Sequence, residues 1–243
     1  MPTPAKGYFV NTCLRNDTHK CGADCKGKRV PGVTTVLGRF KESGALMYWA
    51  WQQGKDGKDF RESRDEAADA GTLTHKLVDL HLRGGLTPEM QTTILATARA
   101  DIASKAVSAY GSYLRWAEQT KLSVVSLEIP MVSQRFRFGG TPDALMVGGD
   151  LVLGDWKTSN AVYSDYLLQL AAYGLLWEEN NPGRPLKGFQ LLRFSKDQET
   201  EDGFVAGGDF HNHFWPELKD AATAFLLLRK AYSLDARIKA RIK

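Results

Sequence analysis

Cysteine is scarce in this 243-residue chain: Cys13, Cys21 and Cys25 stand close together near the N-terminus, and none follows. An odd count, in a chain whose 43% hydrophobic content is enough to build a core, argues against a disulfide framework. Long apolar runs are missing as well. No stretch of about 18 apolar residues occurs, and the opening M-P-T-P-A-K-G-Y lacks the apolar core of a secretory leader, so the reading is a cytoplasmic protein with no membrane partner. Nor is there a strong charge of either sign. The 32 Lys and Arg against 28 Asp and Glu leave a formal net charge of +4, which accommodates a phosphate-bearing partner without demanding one. With no internal repeat, low-complexity tract or linker, residues 1–30 read as a Cys-containing N-terminal segment and 31–243 as a single domain.

What the chain does have is a stretch that mixes apolar strand signals with carboxylates. Gly139 to Lys157 reads G-G-T-P-D-A-L-M-V-G-G-D-L-V-L-G-D-W-K. Two apolar runs flank the turn formers Gly148, Gly149 and Asp150, the pattern of a hairpin. If those three residues are the loop, Val147 pairs with Leu151, and counting outward brings Asp143 opposite Asp155. Alternation then sends Asp155 and Lys157 to one face and Trp156 to the other. Carboxylates are rarely buried unless paired or bound to metal. Two readings fit: a hairpin edge closed by an Asp–Lys ion pair, or two oxygen ligands for Mg²⁺ or Mn²⁺ with a lysine able to orient or deprotonate water.

The remainder alternates helical and strand patterns. Residues 1–30 suggest loops and a loose hairpin, Tyr8 to Val10 with Arg29 to Val30. In that segment Cys13, His19, Cys21 and Cys25 are either free groups in an irregular loop or four ligands for a structural Zn²⁺. A first helix follows Pro31-Gly32, capped by Thr34 or Thr35. Tyr48, Trp49 and Trp51 read as core, with base stacking as the alternative should they prove exposed. Phe60 to Leu82 is a second helix with a small-residue face, Ala67, Ala70, Gly71, Thr74 and Val78. Gly71 inside a helix costs about 1 kcal/mol relative to Ala and implies close approach of another backbone. His75, one turn on, reads by itself as a solvated or hydrogen-bonded side chain or a ligand.

Glu89 to Gln119 is expected as one long amphipathic helix and Leu122 to Val132 as a strand around Glu128. Gln134 to Phe138 would be another strand, with Arg135 and Arg137 on one face, turned either to solvent or to phosphates. After the hairpin, a helix from about Tyr163 to Asn180 places Gln169 and Tyr173 on one face at i, i+4. Leu186 to Phe194 and Phe204 to Phe210 read as further strands around an acidic loop, and Trp215 opens the last helix. The chain ends in a basic tail, Arg237 to Lys243.

G-T-L-T-H at 71–75, G-G-T-P-D at 139–143, G-D-W-K-T-S at 154–159 and Q-L-A-A-Y at 169–173, taken in that order, resemble the PD-(D/E)XK nuclease superfamily, and within it RecB-type exonuclease domains. The resemblance spans roughly residues 30–235. It implies an α/β fold of restriction-endonuclease type, a central mixed β-sheet flanked by α-helices. It implies that His75, Asp143, Asp155 and the Trp156 carbonyl ligate Mg²⁺ or Mn²⁺ and that Lys157 is the base or water-positioning group. Gln169 and Tyr173 would position Lys157 or DNA, with Glu128 as an acid near the site. The implied activity is a metal-dependent DNA exonuclease acting on single strands or ends and leaving 5′-phosphates, in phage or recombination and repair processing, with any protein partner unknown. The alternatives are a structure-selective endonuclease and a non-catalytic DNA-binding module of the same fold. Members carrying an iron–sulfur cluster have cysteines after the nuclease core; this chain has none there, so that cluster is not expected.

Overall fold

The computed structural model describes residues 7–10, 28–40, 44–120, 123–148, 150–159, 161–195 and 210–242. Cys13, His19, Cys21 and Cys25, the acidic loop 196–203 and all but the last residue of the strand expected over 204–210 lie outside them. In chain order the elements are β1 (Tyr8–Val10), β2 (Lys28–Val30), α1 (Val33–Phe40), α2 (Gly44–Lys55), α3 (Phe60–Leu82), α4 (Pro88–Leu95) and α5 (Ala100–Gln119). Then come β3 (Ser123–Leu127), β4 (Met131–Ser133), β5 (Phe138–Gly140), β6 (Ala144–Val147), β7 (Leu151–Lys157), α6 (Ser164–Asn180), β8 (Gly188–Phe194), β9 (Phe210–Trp215) and α7 (Lys219–Lys239).

A mixed sheet of order β3-β6-β7-β8-β9 forms the centre, antiparallel except for β7 and β8. Those two run parallel because α6 lies between them in the chain, giving the crossover a parallel pair requires. Period-two alternation divides the apolar side chains between two layers. On one face Met146, Trp156, Leu192 and Phe194 meet Leu77 of α3 and Tyr113 and Trp116 of α5. On the other Leu145, Leu153 and Leu191 meet Val36 of α1, Leu170 and Leu176 of α6, and Phe225 of α7. The expected α/β architecture is therefore the observed one.

Several local expectations are corrected. The single helix over 89–119 is two, α4 and α5, because the Thr97 hydroxyl donates to the Ile94 carbonyl and the backbone closes a turn there. Leu114 of α5 is exposed, while Trp116 packs in the core. α1 starts at Val33, so neither Thr34 nor Thr35 caps it; the Gly32 carbonyl accepts from the Val36 N–H at 3.1 Å. The strand expected over 122–132 stops at Leu127, where Glu128 adopts φ 48° and gives its N–H to the Asp143 carbonyl.

Residues 134–137 are a turn, not a strand. The Glu179 carboxylate accepts from the Gln134 and Arg135 N–H groups at 2.8 and 3.1 Å, and the Ser133 hydroxyl accepts from the Phe136 N–H. Tertiary hydrogen bonds thus override a β-prone sequence. Tyr48 and Trp51, read as core, are 62% and 55% exposed, while Trp49 rests edge-on against Phe60. The last helix begins at Lys219, not at Trp215, which is the last residue of β9. Among the described residues no helix is long and apolar enough to cross a membrane.

Candidate active site

The hairpin has the register its turn dictates: Val147 pairs with Leu151 and the ladder runs to Ala144 opposite Gly154. Asp143 and Asp155 occupy the next positions outward, and both are buried, at 3% and 1% exposure. Asp143 Oδ2 accepts the Trp156 N–H at 2.7 Å. Asp155 Oδ2 accepts from the Lys157 ammonium, whose Nζ also lies 5.1 Å from the centroid of the Tyr166 ring. The Trp156 ring points to the opposite layer, against Trp116 and Phe194.

α3 supplies the imidazole. Asp59 caps its first turn, accepting the Arg61 and Glu62 N–H groups. At the middle of the helix Gly71 comes so near the end of β7 that a Cβ there would sit 3.0 Å from Thr158 Oγ1. That close approach brings His75 Nδ1 to 3.9 Å from Asp143 Oδ2. The nitrogen is buried and, among the described residues, has no hydrogen-bond partner. An orphaned buried ring nitrogen beside a carboxylate is costly unless something else binds it.

The electrostatics follow from burial. Loss of hydration lifts the Asp143 and Asp155 carboxyls to about 6, against the pull of Lys157. Burial, and then the Lys157 charge, push His75 down to about 4, leaving a neutral imidazole at physiological pH. For Lys157 burial acts to lower the pKa, but Asp155 and Asp143 outweigh it and the net direction is up, toward a retained ammonium.

The two glycines of the G-G-T-P-D motif have a steric reason. A Cβ on Gly139 would lie 2.2 Å from the Tyr8 ring, and one on Gly140 would lie 2.6 Å from the Tyr173 ring. Two tyrosines therefore seat on bare backbone. The Tyr173 hydroxyl accepts from Gln169 Nε2 at 2.8 Å, and the Tyr8 hydroxyl bonds Thr141 Oγ1 at 2.8 Å. His75, Asp143, Asp155, Trp156, Lys157, Gln169 and Tyr173 all line one cavity of about 700 Å³. Glu128 is not among the lining residues; its carboxylate lies 3.8 Å from Arg83, which caps the C-terminus of α3.

Two lining tyrosines escaped the sequence reading. Tyr166 sits three residues before Gln169 on α6, a face-sharing interval that could have shown it. Tyr8 arrives from β1, far away in sequence, and its only trace was the unexplained glycine pair.

The donor set suits a hard divalent cation in chemistry: two carboxylates of raised pKa and a neutral imidazole with a free nitrogen. Among the described residues, however, no three His, Cys, Asp or Glu side chains form a ready-made ion cage, since Asp155 is turned to Lys157 and Asp143 to the Trp156 amide.

Fold and site together define an α/β protein with two acids and a lysine converging at the end of the central strand of a mixed sheet. A model of the PD-(D/E)XK nuclease superfamily matches residues 46–233, and the chain belongs to that superfamily. No curated protein matches it significantly. Among solved structures it is similar to a candidate exonuclease from Eubacterium rectale, at 12% identity and TM-score 0.47 over 70% of this chain and 68% of that one. It is also similar to an alkaline exonuclease from Laribacter hongkongensis, at 14% identity and TM-score 0.32 over 54% of this chain and 70% of that one.

Proposed function

We propose that this chain is a metal-dependent deoxyribonuclease that hydrolyses phosphodiester bonds, acting as an exonuclease on single strands or DNA ends during phage or recombination and repair processing. The observation that carries the reading is the convergence of buried Asp143 and Asp155 with Lys157 beside the unpartnered His75 Nδ1. Mg²⁺ or Mn²⁺ would be held by His75, Asp143, Asp155 and the Trp156 carbonyl. When bound, such an ion makes water more acidic and neutralises charge on a phosphodiester.

The protein groups do the positioning. Lys157, kept as an ammonium by its two acidic neighbours and steadied against Tyr166, holds a proton at Nζ with which to orient the attacking water and offset charge on the five-coordinate phosphorus. Gln169 fixes the Tyr173 hydroxyl, and Tyr173 with Tyr8 walls the cavity against bulk water. Preference for single strands is supported by α2, whose exposed Tyr48 and Trp51 rings lie 5.7 Å apart with Lys55 Nζ 4.7 Å from Trp51. Base faces stack on such a pair, and a cation beside it suits the backbone.

The deciding assay offers end-labelled linear single-stranded, linear duplex and circular single-stranded DNA with Mg²⁺ or Mn²⁺. Loss of linear substrate with circles intact, abolished by EDTA, is the expected result. Cutting of circles would convert the reading to an endonuclease, and full activity in folded Lys157→Ala would refute the site.

A further inference from the structure

Away from the catalytic cavity, the β4–β5 turn and α7 enclose a groove of about 310 Å³ whose lining carries Arg135, Arg137, Arg229, Lys230 and Arg237 and no carboxylate. The ion pairs among the described residues lie elsewhere, such as Arg39 with Asp235, Arg83 with Asp79, and Arg99 with Glu62, Glu66 and Asp101. No ion pair found among those residues involves any of the five in the groove.

The groove is built rather than accidental. Glu179 of α6 holds the turn from one side through the Gln134 and Arg135 N–H groups. Arg229 of α7 holds it from the other, donating from Nε and Nη2 to the Arg137 carbonyl at 2.9 and 2.7 Å and from Nη1 to Ser233. Arg137 takes φ 59°, a left-handed backbone that a non-glycine residue adopts only when its surroundings impose it. Arg135 is steadied 4.8 Å over the Phe136 ring. Like charges held together in this way repel one another and are relieved by a polyanion.

We propose that this groove is a second DNA contact that binds backbone phosphates of the strand whose end is processed in the catalytic cavity. The inference rests on the nuclease reading for its ligand. Arg137 is six residues before Asp143, so an extended chain bounds their separation at roughly 20 Å, about six nucleotides of a B-form strand. A substrate longer than that can occupy both places, whereas a dinucleotide has a single phosphodiester to offer the cavity. Phosphates are recognised without regard to base, so the contact adds affinity and not sequence preference.

The test uses Arg135→Gln/Lys230→Gln/Arg237→Gln, which leaves the anchoring Arg229 in place, and a charge-reversed version with Glu at the same three positions. Binding of a fluorescent oligonucleotide of about 20 nucleotides is titrated against salt in EDTA, so that no hydrolysis is needed. Losing three contacts lowers the log–log salt slope by about 2 to 3 and weakens binding tenfold or more, while in a separate assay with Mg²⁺ a dinucleotide is hydrolysed as by the unaltered protein. Unaltered affinity and slope for the long strand in the Glu version would overturn the groove, whatever the catalytic result. Unaltered binding by both variants together with normal hydrolysis would leave the nuclease reading standing alone. A lowered slope with no hydrolysis by the parent protein would leave the groove standing alone.

Discussion

At the scale of single residues, the site joins groups that pull each other's protons in opposite directions. Replacing Lys157 with Ala or Asp155 with Asn is expected to lower hydrolysis of linear DNA by about 10²–10³, the usual effect of removing one electrostatic contributor, with the far-ultraviolet circular dichroism unchanged. Mn²⁺ should raise the melting temperature of the parent protein and leave that of the double variant Asp143→Asn/Asp155→Asn where it is, since ligand binding to the native state alone adds stability. A third expectation concerns packing. A methyl at Gly140 must displace the Tyr173 ring or Val33, both buried, so Gly140→Ala should cost about 1–3 kcal/mol in denaturant unfolding. The acids and Lys157 were legible because strand alternation and a three-residue turn suffice to put them together. Tyr8 was not, because nothing local links it to Gly139.

At the scale of elements, patterns within one segment were readable and interruptions by distant partners were not. α3 and α6 begin and end within a residue of the apolar periodicity, since Asp59 caps the start of α3 and Pro182-Gly183 follow the end of α6. The 134–137 turn escaped notice because its hydrogen-bond acceptor is Glu179 on another element. A further long-range bond clasps α1 to α7. Arg39 makes a two-pronged bond to Asp235, which Lys239 also contacts. First Arg39 and then Lys239 hold the Asp235 carboxyl at about 2, below its ordinary 3.8. A depressed carboxyl stabilises the fold above its unfolded pKa and loses that contribution as the pH falls through its folded one. The melting temperature of Asp235→Asn should therefore lie below that of the parent near pH 5, and the gap should close between about pH 4 and pH 2.

At the scale of the whole molecule, α3 and α6 approach the end of β7 from the two layers, and the candidate catalytic groups meet where both reach it. The cavity lies at that meeting, as ligand sites in open α/β sheets lie outside the carboxyl ends of strands. The fold class could be read from the order of patterns. Its depth could not: which side chains fill the space over the hairpin depends on how separate segments close on it. If α2 contributes stacking, Trp51→Ala should weaken binding of a single-stranded oligonucleotide more than of a duplex, in anisotropy titrations with EDTA, and leave the melting temperature unchanged because the ring is exposed.

The Tyr8 ring over Gly139 sets where the working unit begins. Residues 46–233 carry the likeness to the superfamily, yet Tyr8, Gly32, Val33 and Thr34 form part of the cavity wall and precede that range. A protein trimmed to the matched residues keeps His75, both acids, Lys157, Gln169 and Tyr173 while uncovering Gly139 and leaving the Thr141 hydroxyl without its Tyr8 partner. Ancestry and enclosure therefore have different borders here, and the outer border is the one that a shortened enzyme must respect.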